Sequence, residues 1–74
     1  MKHLIMGVPK GEDFPSFEKQ IPIATTELKF IMGWANDEDP LHDYRLTDQQ
    51  VLGIEKACAM ELPKDLELFL TSHD

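Results

Sequence analysis

The hydrophobic pattern of this chain changes period twice along its length, and that change restricts the fold more than any other feature. Apolar residues alternate every second position near both ends and recur every three to four positions in between, the pattern of strands flanking helices. Residues 2–8 place Leu4, Met6 and Val8 on one side at a period of two, which predicts a strand whose better-buried face carries those three. Pro9 and Gly11 stop it. Residues 16–23 set Phe17, Ile21 and Ile23 on one face and Glu18, Gln20 and Pro22 on the other. That is a second strand, confined to an edge or a bulge because Pro22 cannot donate a ladder hydrogen bond, and the residues between the two fit a wide hairpin.

The period then lengthens. Thr25-Thr26-Glu27 offers an N-cap hydroxyl and a first-turn carboxylate, and Leu28, Ile31, Met32 and Ala35 follow at i, i+3, i+4 and i+7, predicting a helix over about 26–35. Asn36 and the Asp37-Glu38-Asp39-Pro40 run end it and open an exposed acidic loop over 36–43. Tyr44-Arg45-Leu46 is a brief extended link. Thr47 and Gln50 have the spacing of a capping box, and Val51, Ile54 and Cys58 then share one face, with Leu62 beyond and Pro63 closing the segment. Gly53, unfavourable inside a helix, is expected to pack closely on a neighbour.

In the last segment Leu66, Leu68 and Leu70 alternate with Glu67, Phe69 and Thr71. The period of two favours a third strand, although Lys64-Asp65-Leu66-Glu67 would also suit the start of a helix. The expected order is β-β-α-α-β in a single compact domain over 1–74. Its class is α+β, with a small antiparallel sheet of about three strands and two helices on one face.

Function is constrained by charge and by size. Fourteen Asp and Glu against seven Lys and Arg give a formal net charge of −7. Such a surface repels nucleic acid and anionic lipid, and suits a cationic protein partner. One small core leaves little room for a deep cavity, so function is expected on the outer surface. The N-terminal segment is too short in apolar residues for a secretory signal, and no run approaches a membrane span. A lone cysteine, Cys58, excludes an intramolecular disulfide, and a reducing cytoplasmic setting is expected.

Chemical sites are sparse. The loop Asp37-Glu38-Asp39-Pro40-Leu41-His42-Asp43 departs from the calcium-loop pattern at Leu41 and His42, and His3, His42 and His73 lie in separate segments without zinc-ligand spacing. Cys58 falls on an apolar stripe, and neither Gly7 nor Gly11 belongs to a phosphate-binding pattern. No metal, no cofactor and no catalytic residue are expected. Asp37, Glu38, Asp39 and Asp43 cluster within seven positions, offset nearby only by Arg45, and form a candidate electrostatic docking loop. Beside it, Trp34 is a candidate interface anchor or else packs with Phe30 in the core, and Tyr44 has the same two readings.

The residues Asp39-Pro40, Tyr44-Arg45-Leu46-Thr47, Gln50, the helix that follows and the closing Asp65-Leu66-Glu67-Leu68-Phe69-Leu70 resemble a group of very small, uncharacterised bacterial proteins. In general character the chain also resembles immunity proteins of bacterial toxin systems, such as contact-dependent growth inhibition. The resemblance implies a cytoplasmic, non-enzymatic protein that covers the basic substrate surface of a cognate nuclease toxin. The contact candidates come from the residue pattern itself: Trp34, Asp37, Glu38, Asp39, Asp43 and Tyr44. The alternative is a regulatory or adaptor subunit that joins a larger protein through an apolar patch or a strand edge.

Overall fold

A computed structural model of the protein describes residues 1–36 and 38–73. Its elements are β1 (Lys2–Pro9), β2 (Phe17–Ile21), α1 (Thr25–Met32), β3 (Tyr44–Arg45), α2 (Asp48–Cys58) and β4 (Leu66–His73), with a single 3₁₀ turn at Asp39–Leu41. The class is α+β. One antiparallel sheet runs in the order β2-β1-β4-β3. The final segment is therefore a strand, and it lies beside β1 in the middle of the sheet, paired over its full length from Lys2↔His73 to Pro9↔Leu66. The link at Tyr44–Arg45 pairs with β4 as a fourth, two-residue strand. Among the described residues, no helix is long and apolar enough to cross a membrane.

β1 buries the side opposite to the one its hydropathy favours. His3, Ile5 and Gly7 face the helices, whereas Leu4, Met6 and Val8 are half-buried on the other face. The inward side of β1 faces the inward sides of Ile21, Leu68 and Leu70, and the cluster is completed by Leu28 of α1 and by Val51 and Ile54 of α2. Gly7 suits its crowded position, because an added Cβ would displace the end of the Leu66 side chain, 2.7 Å away at Cδ1, and crowd Phe17 Cβ at 3.2 Å and Leu66 Cβ at 3.3 Å. His3 is tolerated inside because both ring nitrogens find hydroxyls. Nδ1 lies 2.7 Å from Ser72 Oγ and Nε2 lies 2.9 Å from Thr25 Oγ1.

That second contact explains a difference at the start of α1. Thr25 is directed at His3 and is the first helical residue, so Ala24 occupies the N-cap without a side-chain bond. The helix also ends early. Gly33 adopts φ 72° at the C-cap and returns its N–H to the Lys29 carbonyl at 2.9 Å, which stops α1 at Met32 rather than near 35. α2 begins as its sequence requires: Gln50 N–H donates to Thr47 Oγ1 (3.2 Å) and Thr47 N–H donates to Gln50 Oε1 (2.9 Å). Gly53 meets Ile31 of α1, with its virtual Cβ 3.1 Å from Ile31 Cγ2, so the two helices approach closely there.

Candidate functional site

Between Gly33 and Tyr44 the described residues on either side of position 37 are closely held. The left-handed Gly33 turns the chain back, Trp34 N–H donates to Lys29 O at 3.1 Å, and the indole falls into the core with 7% exposure. Trp34 rests on Tyr44, ring centroids 5.7 Å apart. Pro40 is buried beside them and fixes the 3₁₀ turn. Asp39 organises the rest: its Oδ2 accepts the backbone N–H groups of Asn36 (2.9 Å) and Ala35 (2.8 Å), and its carbonyl accepts the Tyr44 hydroxyl at 2.6 Å. Those two backbone donors, Asn36 first, hold the Asp39 carboxyl below its ordinary range.

The six contact candidates thus divide by placement. Trp34 is buried and Tyr44 half-buried, so their rings form the floor of the loop. Asp39 is half-buried, with one carboxylate oxygen engaged by the chain itself. Glu38 and Asp43 are exposed, and Asp37 lies outside the described residues. Two further exposed groups are their neighbours in sequence, His42, whose ring stands perpendicular to that of Tyr44 with centroids 6.5 Å apart, and Leu41 at 60% exposure. The organising role of Asp39 had a sequence signal, since an Asp directly before Pro favours a turn held by its own side chain. Leu41 had none. Phe30 does not pack on Trp34 and is instead exposed on the outer side of α1.

Electrostatically the loop stands alone. No Lys or Arg occurs between Lys29 and Arg45. Arg45 turns away, its Nη2 lying 3.1 Å from Glu67 Oε1, and the other ion pair among the described residues joins Lys64 to Glu55. Neither Glu38 nor Asp43 has a cationic partner among the described residues.

Other chemistry is weakly supported. The Cys58 thiol is half-buried against the core, and burial followed by the charge of Glu27 pushes its pKa up, the reverse of an activated nucleophile. The Ser72-His3-Thr25 group escaped sequence reasoning because its members lie far apart in the chain and belong to three elements. It has a base beside a hydroxyl, but His3 is 1% exposed and Ser72 is buried too, so substrate has no access. Burial, and then the N-terminal ammonium, lower the His3 pKa and keep the ring neutral. Among the described residues, no three His, Cys, Asp or Glu side chains gather to hold a metal ion. A half-open cleft of about 410 Å³ lies between α2 and β4, with Leu46, Val51 and Leu66 in its floor and Lys10, Arg45 and Lys64 at its rim. Two of those cations are already paired with carboxylates.

No protein-family model matches the chain, and neither the search of curated proteins nor that of solved structures found a similar protein.

Proposed function

We propose that the protein is a non-catalytic binding module of the immunity type, neutralising a cognate nuclease toxin by covering its basic substrate surface. The observation that carries this reading is the pair of described stretches on either side of position 37, anchored by Trp34, Asp39, Pro40 and Tyr44, while Glu38 and Asp43 are exposed and have no cationic partner among the described residues. A preformed loop loses little conformational freedom on docking, and uncompensated carboxylates accelerate encounter with a cationic surface. Leu41, exposed between Glu38 and Asp43 in the sequence, supplies an apolar contact.

The test is whether the neighbouring reading frame encodes a protein with a basic C-terminal domain that co-purifies with this chain, followed by titration of that domain. The reading predicts a 1:1 complex and loss of nuclease activity at equivalence. A neighbouring product that does not bind, or a complex unaffected by Glu38→Gln with Asp43→Asn, overturns it.

A second reading, an adaptor subunit that docks through an apolar patch, is favoured by one observation: Leu4, Met6, Val8 and Phe69 share a sheet face that no helix covers. Such docking would hardly change between low and high salt, whereas docking through the loop would weaken.

A further inference from the structure

The helices cover one face of the sheet. On the other, Leu4, Met6 and Val8 of β1 stand beside Thr71, Phe69 and Glu67 of β4, and the four large apolar side chains pack against no part of the buried core. The register also draws one row straight across all four strands: Glu18, Met6, Phe69, Arg45. It runs from an acid at one edge through two apolar residues to a cation at the other. The remaining formal charges of the paired strands on this face are Lys2 and Glu67, so the face is neutral on a chain of net charge −7. It offers a cationic partner no electrostatic gain and is where two copies of the chain repel each other least.

We infer that this face is a self-association surface on which two copies stack sheet on sheet, about a two-fold axis parallel to the strands. Aligned sheets pack about 10 Å apart with strand directions within about 30° of each other. This two-fold exchanges the left and right edges, so β2 of one copy lies over β3 of the other. Glu18 then meets Arg45, Met6 meets Phe69, and each contact occurs twice. Glu18 is exposed, and the Arg45 side chain remains 66% exposed with Glu67 beside it, so both can reach across. The other two-fold that joins the same faces runs across the strands and sets Glu18 on Glu18 and Arg45 on Arg45. Charge selects the first.

The area sets the strength. Strands of five, eight, eight and two residues, at about 3.3 Å per residue and about 4.8 Å apart, give about 360 Å² per copy and about 730 Å² in all. That is below the range of stable specific complexes, so the dimer is weak and reversible. Each copy brings a charge of −7, and added salt tightens the dimer by screening that repulsion. The inference stands apart from the acidic loop and survives if the loop has no partner.

Sedimentation equilibrium of the full chain, with reductant to keep Cys58 from cross-linking, tests it. The mass is expected to climb from 8.5 kDa toward twice that value as concentration approaches roughly 1 mM, and to do so earlier at about 0.5 M salt than at about 0.05 M. A mass that stays at 8.5 kDa throughout overturns the inference. Phe69→Glu, and the milder Phe69→Gln should the first fail to fold, are expected to abolish the dimer while the monomer keeps its circular dichroism; a persisting dimer shows that the face is wrong. Glu18→Lys and Arg45→Glu alone should each weaken association about tenfold, and together restore it. Single variants that dimerise like the parent overturn the two-fold.

Discussion

Replacing Tyr44 by Phe isolates the bond that anchors the acidic loop. The substitution removes one oxygen, the hydroxyl that donates to the Asp39 carbonyl at 2.6 Å, and leaves the ring on Trp34. A half-buried hydrogen bond between neutral groups contributes about 0.5–1.5 kcal/mol net. The Asp39 carbonyl keeps the His42 N–H, at 3.3 Å, as a donor and is not orphaned, which places the loss near about 1 kcal/mol. For a chain of this size that corresponds to a fall in Tm of about 4–8 °C, and the urea midpoint should drop with an unchanged slope. The loop should respond locally as well. The amides of Ala35 and Asn36, which Asp39 holds, should exchange with solvent about fivefold faster under conditions where exchange follows opening equilibria. Thermal melts and hydrogen exchange read the two effects. A Tm within about 1 °C of the parent, with unchanged protection at Ala35 and Asn36, would refute the anchoring of the loop by Tyr44.

Three further outcomes follow from single sites. Because the folded His3 pKa lies below its ordinary value of 6.5, the unfolded chain binds more protons below that pH; urea stability should be level above about pH 6.5 and decline from there toward pH 5, and a flat profile would contradict a neutral buried imidazole. Gly7→Ala forces a methyl group into Leu66 and Phe17 and should cost about 1–3 kcal/mol in urea unfolding, while an unchanged midpoint would show that the β1 to β4 contact is looser than described. Ala59 closes α2 at φ 51°, so Ala59→Gly should stabilise the protein by about 0.5–1 kcal/mol, with a lower Tm as the contrary result.

What could be read from the sequence depended on whether the deciding interaction was local. The capping box at Thr47 and Gln50 is complete within four residues and was legible, whereas the strand at Leu66–His73 was only favoured by its alternation, because Lys64-Asp65-Leu66-Glu67 also suits a helix start and the pairing with β1 that decides it is distant in sequence. The close approach at Gly53 was legible too, because a glycine in a helix interior needs a reason. The inward face of β1 was not. Hydropathy ranks Leu4, Met6 and Val8 above His3, Ile5 and Gly7, and only the distant Ser72, Thr25 and Leu66 make the second set the better one to bury. The same distant His3 displaces Thr25 from the N-cap. In the loop the acidic cluster was plain from composition. Its division into an organising Asp39 and the outward Glu38 and Asp43 required the folded backbone.

The decisive measurement is the association rate constant between the protein and the basic nuclease domain that the proposed function requires as its partner, taken by stopped flow over a series of salt concentrations. A preformed, uncompensated acidic loop predicts a rate that falls at least about tenfold between roughly 0.05 and 0.5 M salt. Replacing Asp37, Glu38 and Asp43 with their amides, and leaving Asp39 to hold the backbone, should slow the low-salt rate and flatten that dependence. Identical rates and slopes for the parent and the amide variant would contradict docking through this loop.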